Sequence, residues 1–274
     1  MTPRRVRHRC RSLLAALACL VALPCTADPE WLQLPATARR PALSLYWVPA
    51  DSARRPAIVA LHGCGGLFRK DGHSFDPRFG NYAERLNQLG LHVLLPDSFG
   101  SRGLGSLCEE LNASRSVYVA DRRLDVLEAL AWLRARPDVD PERIGLLGWS
   151  NGASTALMVI DSRWPPAPPP LAAVALFYPG CSPSRGGQPT HTGALLMLLG
   201  GADDLTPPEP CEQLAARWQR KGLPVEVEVY PGAIHGFDGN GPVPRGSGKA
   251  GDPASILRLE AFLKAHLLPA TPAP

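Results

Sequence analysis

The sequence predicts an α/β protein in which a mostly parallel, doubly wound sheet is flanked by helices. Short apolar runs alternate with segments whose apolar residues recur at helical spacing, the order that gives parallel strands joined by crossover helices. The chain has 274 residues, 45% of them hydrophobic, which is enough to build a large core. It shows neither an internal repeat nor a second domain, so residues 28–274 are expected to form one domain.

The first half of the chain predicts three strands and two helices. Residues 43–48 are typical of an edge strand, and residues 57–61 form a buried strand that leads into a glycine-rich loop. Helical spacing of apolar residues predicts a helix over 79–89, which ends at a glycine, and a longer amphipathic helix over 117–136, which a proline ends. A buried strand over 91–95 lies between these helices and continues into a second glycine-rich loop.

The second half continues the same alternation. The apolar run 144–147 predicts a buried strand, and residues 153–160 predict the helix that follows it. The proline run near residue 165 excludes regular structure and is interpreted as a surface loop, because another buried strand follows it at once. The remaining elements are strands over 171–178, 194–199 and 225–230, the last of them nearer an edge, and helices over 209–221 and 255–267.

The first 27 residues are interpreted as a cleavable export signal. Five arginines precede the apolar residues 13–23, and small residues at 25–27 favour cleavage after Ala27. The apolar segment is short for a membrane span, so no stable membrane anchor is expected after cleavage. Without those arginines, 24 basic residues face 25 acidic ones, a balance that gives no support for a nucleic-acid partner. We therefore expect a periplasmic or secreted protein.

Cysteine usage agrees with export. Four cysteines follow the export segment, and an oxidising compartment would favour two disulfides among them, with three pairings open. The sequence contains neither a C-x-x-C pair nor a His/Cys spacing typical of zinc, so no metal is predicted. The four residues are Cys64, Cys108, Cys181 and Cys211.

A serine between the strand 144–147 and the helix that follows is the predicted nucleophile. The motif Gly148-Trp149-Ser150-Asn151-Gly152 has the G-x-S-x-G pattern of a strained strand-to-helix turn that exposes a serine hydroxyl. A serine hydroxyl is a poor nucleophile at neutral pH, so it needs a base within hydrogen-bond reach and a third group to orient that base. Because parallel strands bring their carboxyl ends to one sheet edge, loops after neighbouring strands are expected to supply both.

His235 is the predicted base, and Asp203 or Asp204 is the predicted acid. His235 follows the last strand in a glycine-flanked loop, and the aspartates follow the strand before it, which gives the chain order Ser, Asp, His. Adjacent side chains in an extended turn point apart, so only one aspartate can reach the imidazole. Competing residues fit less well, and His62 is expected to hold its glycine loop by hydrogen bonding. The other competitors are His92, His266 and Asp97.

Two backbone N–H groups are predicted to stabilise the negative charge of a tetrahedral intermediate. Asn151, directly after the nucleophile, would supply one N–H at a helix N-terminus. The second is expected from the loop His62-Gly63-Cys64-Gly65-Gly66, most simply from the N–H of Cys64.

Together these motifs resemble the dienelactone hydrolase family of α/β-hydrolases over about residues 43–267. The resemblance implies the α/β-hydrolase fold, hydrolysis of carboxylic esters without a cofactor, and a triad of Ser150, Asp203 and His235, with Asp203 preferred over Asp204. Dienelactone hydrolase itself has cysteine at the turn, so the resemblance does not extend to dienelactone as substrate. Further matching motifs are Asp97-Ser98-Phe99-Gly100 with Arg102-Gly103, Tyr178-Pro179-Gly180-Cys181, Thr206-Pro207 with Cys211, and His235-Gly236-Phe237.

The resemblance also suggests a pairing of the cysteines. It implies a Cys181–Cys211 bridge beside the acid, which leaves Cys64 to pair with Cys108. A free Cys64 next to the nucleophile is the alternative.

The leading hypothesis is an exported serine hydrolase that cleaves a small-molecule ester through an acyl-enzyme intermediate. The alternatives are a serine peptidase or amidase on the same fold and a catalytically inert binding module. Trp149, Phe237 and Arg102 are the candidates for contact with the substrate. The glycine-rich segment 238–251 is interpreted either as a mobile flap over the site or as a disordered loop.

Overall fold

A mixed eight-stranded sheet organises the protein. The computed structural model describes residues 28–69, 72, 74–110, 114–181, 189–190, 193–238 and 253–268. The predicted export segment, and all of the 238–251 segment except its first residue, lie outside these residues. The strands are β1 (Glu30–Leu34), β2 (Leu43–Val48), β3 (Arg55–Leu61), β4 (His92–Asp97), β5 (Val139–Trp149), β6 (Ala173–Phe177), β7 (Ala194–Gly200) and β8 (Val225–Tyr230).

The strands lie in the order β1-β2-β4-β3-β5-β6-β7-β8. β1 and β2 are antiparallel to their neighbours, and the strands from β4 to β8 are parallel. The predicted fold class is confirmed. Because β3 and β5 are neighbours, the loop that follows β3 and the turn that follows β5 emerge side by side at the carboxyl edge of the sheet.

Five helices cover the two faces of the sheet. One apolar core contains the buried residues of helices α2 (Val119–Arg134), α3 (Asn151–Val159) and α4 (Glu209–Gln219). A second core, on the opposite face, contains those of α1 (Pro77–Gln88) and α5 (Pro253–Leu267). With helices on both faces, the central strands are buried over their apolar residues, which explains why these strands appear in the sequence as continuous apolar runs.

The edge of the sheet differs from the prediction at β2. The expectation that residues 43–48 form an edge strand is wrong, because β1 pairs with their outer side in antiparallel register, with Leu32 opposite Leu45. The side chains of β1 are exposed or only half-buried. Such a strand contains no buried apolar run, which is the feature that revealed the other strands. The alternating strand β8 does lie at the opposite edge, as its pattern predicts.

The start of α1 is set by a cap rather than by its apolar spacing. The Asp76 carboxylate accepts a hydrogen bond from the Arg78 N–H at 2.9 Å, and Pro77 occupies the first helical position. Both features favour a helix N-terminus, so α1 begins two residues earlier than its apolar pattern predicts. The carboxylate of Asp76 thereby fixes the end of α1 that lies close to the predicted site.

Candidate active site

Ser150 lies in a strained turn between β5 and α3. Its backbone has φ of 52° and ψ of −116°, a conformation that is costly for a residue with a side chain. The flanking glycines make the close approach possible, since a Cβ at Gly148 would lie 2.7 Å from Ala153 and one at Gly152 would lie 2.1 Å from the Leu61 carbonyl oxygen. The turn thus places the Ser150 side chain at the carboxyl edge of the sheet.

The structure brings the side chains of Ser150, His235 and Asp203 into one hydrogen-bonded chain. His235 Nδ1 lies 2.8 Å from Asp203 Oδ2, and His235 Nε2 lies 2.8 Å from Ser150 Oγ. A carboxylate can only accept, so Nδ1 carries the proton and Nε2 remains free to accept the serine proton. The side chain of Asp203 is fully buried, whereas that of His235 is 19% exposed. These hydrogen bonds therefore connect a buried anion, Asp203, to the Ser150 hydroxyl, which a substrate can reach.

Asp203 is held as an anion by its own turn. Its Oδ1 accepts from the N–H groups of Leu205 and Thr206 at 3.0 and 2.9 Å, and the Thr206 hydroxyl donates to Oδ2 at 2.8 Å. Burial would raise the pKa of Asp203, but hydrogen bonds from His235 and Thr206 outweigh burial and lower it. Thr206 Oγ1 also lies 3.1 Å from His235 Nδ1, a contact that sequence reasoning gave no role. Asp204, in contrast, is exposed.

The competing residues occupy structural positions. His62 is buried, and its Nδ1 donates to the Gly63 carbonyl at 2.8 Å, which holds the loop as expected. Burial and then the charge of Arg122 keep the pKa of His62 well below its ordinary value. His92 is buried and hydrogen-bonded to backbone groups, and Asp97 accepts from the Gly100 N–H at 2.9 Å. None of these side chains is hydrogen-bonded to Ser150 in the described part of the chain.

The loop after β3 passes directly beside the serine. A Cβ at Gly63 would lie 3.6 Å from Ser150 Cβ, and the next residue, Cys64, accepts at its carbonyl from the Leu107 N–H at 2.8 Å. Asn151 is the first residue of α3, where a backbone N–H has no acceptor within the helix. Asn151 and the loop that contains Cys64 therefore both border the nucleophile.

Two disulfides tie down the loops on either side of the site. Cys64 is bonded to Cys108, and Cys181 is bonded to Cys211 at the start of α4. These are the pairs that the resemblance implied, and Cys64 is not a free thiol. One bridge anchors the loop beside Ser150, and the other anchors the segment after β6 near the Asp203 turn.

The three candidates for substrate contact differ in their burial and in their partners. Trp149 is fully buried and stacks on Phe177, because the last residue of β5 points into the core under α1. The prediction for Trp149 is therefore wrong. Arg102 forms two hydrogen bonds to Asp125 at 2.8 and 3.1 Å, and its contact with a substrate stays a prediction. Phe237 is 6% exposed and packs among other aromatic rings, so it supports the site from inside.

A buried carboxylate, which sequence reasoning missed, anchors the loop that carries His235. Asp238 is fully buried, accepts from the Tyr82 and Tyr178 hydroxyls at 2.8 and 2.7 Å, and lies 3.4 Å from the Arg78 guanidinium. Burial and the neighbouring carboxylate raise the pKa of both tyrosines, so both hydroxyls stay protonated and donate. The Tyr178 ring centroid lies 4.6 Å from that of His235. The cluster thus joins α1, the end of β6 and the imidazole loop.

Substituting Asp238→Asn is expected to lower the free energy of unfolding by about 3 kcal/mol, because it leaves the mostly buried Arg78 without its counter-ion. Tyr82→Phe removes a single hydroxyl from the same cluster and is expected to cost about 1 kcal/mol. Denaturant titration of both variants against wild type measures the difference. Equal stability of Asp238→Asn and wild type would contradict the role given to Asp238.

Within the described ranges, no helix combines the length and the apolar composition that crossing a membrane needs. The same ranges hold no group of three or more His, Cys, Asp or Glu side chains arranged to bind a metal ion.

The α/β-hydrolase class is defined by a doubly wound sheet with a serine at a strained strand-to-helix turn. An aspartate and a histidine follow that serine along the chain. The model of the dienelactone hydrolase family matches residues 44–266. The chain belongs to the dienelactone hydrolase family.

Known proteins extend this comparison. Thermogutta terrifontis esterase 2, solved phosphorylated by paraoxon, aligns with a TM-score of 0.64 and 25% identity over 88% of this chain and 96% of its own. A putative dienelactone hydrolase from Klebsiella pneumoniae subsp. pneumoniae gives a TM-score of 0.65 and 16% identity over 87% and 99% of the two chains. Uncharacterised proteins from two Mycobacterium tuberculosis strains are 33% identical over 170 residues. That match spans 56% of this chain and 56% of those curated relatives, about half the length of each.

Proposed function

We propose that this protein is a serine hydrolase that cleaves carboxylic esters of small molecules through an acyl-enzyme intermediate. The main support for the proposal is the pair of hydrogen bonds that connects Asp203 to His235 and His235 to Ser150, each 2.8 Å long. Membership of the dienelactone hydrolase family and the fold shared with an esterase that paraoxon phosphorylates support the same conclusion.

In this mechanism Ser150 Oγ attacks the ester carbonyl carbon as His235 Nε2 takes its proton. The carbonyl oxygen becomes an oxyanion, which the N–H groups of Asn151 and Cys64 stabilise. Collapse of the tetrahedral intermediate breaks the bond to the alcohol, which leaves with the proton from His235. A water molecule then repeats the sequence on the acyl-serine and releases the carboxylic acid. Asp203 stays ionised throughout, holds the imidazole in the tautomer required and stabilises the imidazolium.

We place this activity outside the cytoplasm, in the periplasm or the medium. The Cys64–Cys108 and Cys181–Cys211 disulfides support that location, because such bonds persist in oxidising compartments and are rare in the cytosol. The arginine-rich start of the sequence, followed by an apolar segment, supports it independently.

The test is turnover of matched nitrophenyl esters and nitroanilides of the same acyl groups by the purified mature chain. An ester hydrolase is expected to turn over the esters and to react with paraoxon at Ser150, which peptide mass mapping locates. Preferred cleavage of the anilides would instead assign a peptidase or amidase. Absence of both turnover and labelling would assign an inert binding module and refute the proposal.

A further inference from the structure

A buried arginine lies directly behind the proposed oxyanion donors. Arg122, in the first turn of α2, is 1% exposed. Its Nη1 donates to the Asn151 side-chain oxygen at 2.6 Å, and its Nη2 donates to the His62 carbonyl at 2.8 Å. One guanidinium therefore holds both the first residue of α3 and the first residue of the loop after β3.

These two contacts reach the two segments whose N–H groups must point at the same oxygen. Asn151 is itself one proposed donor, and the loop that starts at His62 contains the other, Cys64. The segments already touch, since a Cβ at Gly152 would lie 2.5 Å from the His62 carbonyl oxygen. The planar, rigid fork of a guanidinium suits such a bridge, because it fixes two acceptors at a set separation.

Arg122 also places a positive charge at this point without a directly bonded anion. Among the described residues no carboxylate forms an ion pair with it, and the nearby Asp125 carboxylate is bonded at both oxygens to Arg102. The guanidinium carbon instead lies 5.0 Å from the centroid of the Phe99 ring. Burial lowers the pKa of Arg122 to about 9, so the group remains a cation at neutral pH. Its hydrogen bonds therefore go to neutral groups of the site, while the carboxylates of Asp125 and Asp97 interact with its charge without hydrogen bonding to it.

We propose that Arg122 is a positioning residue for the oxyanion hole: it fixes the Cys64 and Asn151 N–H groups relative to each other and adds positive potential behind them. The inference rests on the ester hydrolase function proposed above. Interactions that strengthen only as charge develops on the carbonyl oxygen act in the transition state and not on the bound substrate. Arg122 should therefore affect kcat much more than KM.

The neighbouring arginine provides a matched control. Arg123 is 3% exposed on the same turn of α2, but its guanidinium binds the carbonyls of Met158, Trp164 and Pro166, on the side of α3 and the proline-rich loop. Replacing Arg123→Met removes a second cation of low exposure together with its carbonyl bonds. It should lower stability without changing the oxyanion donors.

The experiment compares Arg122→Met, Arg122→Lys and Arg123→Met with the wild type. Complete labelling with paraoxon counts the reactive Ser150 side chains in each sample, and kcat is expressed per labelled serine. Arg122→Met is expected to lower kcat by about 10²-fold to 10³-fold with KM within about threefold, the range for loss of oxyanion stabilisation. Arg122→Lys keeps the positive charge but loses the planar guanidinium, so its kcat is expected to lie between those of the wild type and Arg122→Met. Affinity for a trifluoromethyl ketone, which forms an anionic tetrahedral adduct, should fall in parallel with kcat/KM.

Three outcomes are decisive. A drop in kcat and in ketone affinity for Arg122→Met but not for Arg123→Met supports the inference. Unchanged kcat per labelled serine in Arg122→Met, or an equal drop in Arg123→Met, overturns it and leaves the ester hydrolase function intact. A wild-type protein that turns over no ester refutes the proposed function, and this inference with it.

Discussion

Replacing Ser150→Ala is expected to lower kcat for short nitrophenyl esters by about 10⁵-fold to 10⁶-fold. The alanine removes the atom that forms the acyl bond, and His235 Nε2 then has no hydroxyl to activate at 2.8 Å. The remaining rate would come only from substrate binding and the backbone donors, which act without a nucleophile. Because the substitution removes only the hydroxyl oxygen of a half-buried residue, it should leave the sheet and both disulfides unchanged.

Ser154→Ala is the control for this experiment. Ser154 lies one turn further along α3, is buried, and accepts from the Gly180 N–H at 2.8 Å. Its loss is expected to cost about 1 kcal/mol of stability and to leave turnover within a few-fold of wild type. Stopped assays with both variants at matched concentration, after thermal denaturation has shown that both fold, give the comparison. Ester turnover by Ser150→Ala at the wild-type rate would rule out the proposed nucleophile.

Substituting Asp203→Asn is expected to lower kcat by about 10³-fold to 10⁴-fold, whereas Asp204→Asn should leave it unchanged. An amide at position 203 carries no negative charge and can present its NH₂ to His235 Nδ1, which would favour the wrong imidazole tautomer. Asp203 is buried and hydrogen-bonded to His235, while its neighbour Asp204 is exposed. The two variants make the same chemical change one residue apart.

Steady-state kinetics and denaturant titration over a range of pH distinguish the two aspartates by activity and by stability. In the wild type the pKa of Asp203 is lowered, so its anion and the stability it adds are retained at neutral pH and are lost only in acid, below its ordinary titration range. Asp203→Asn should remove this acid-sensitive contribution together with the activity. A larger loss in Asp204→Asn would show that the structure assigns the acid to the wrong member of the pair.

The sequence was sufficient to place Ser150, Asp203 and His235 near one another. Ser150 and Asp203 follow strands that appear in the sequence as buried apolar runs, and His235 follows a strand with alternating apolar residues. Parallel strands in one sheet bring their carboxyl ends to a common edge. The same logic chose Asp203 only with help from the family resemblance. Side-chain direction within a two-residue turn depends on backbone geometry that no periodic pattern records.

Other parts of the site could not be predicted in this way. Arg122 meets His62 across 60 residues of sequence, and Asp238 meets Tyr82 across 156, so neither pairing leaves a local pattern. Trp149 was placed wrongly because a residue that precedes the nucleophile in sequence can still point away from it. Successive strand side chains alternate between faces, and at Trp149 the face is covered by α1.

The two disulfides affect the order in which the parts of the site become fixed. None of the four cysteines lies in a strand: they join loops to one another or, at Cys211, a loop to α4. A newly made chain with reduced thiols can therefore assemble its central layers while the segments bordering Ser150 still lack covalent anchorage. In the proposed location outside the cytoplasm, oxidation would then complete the covalent anchorage of these segments, and full hydrolytic competence would follow it.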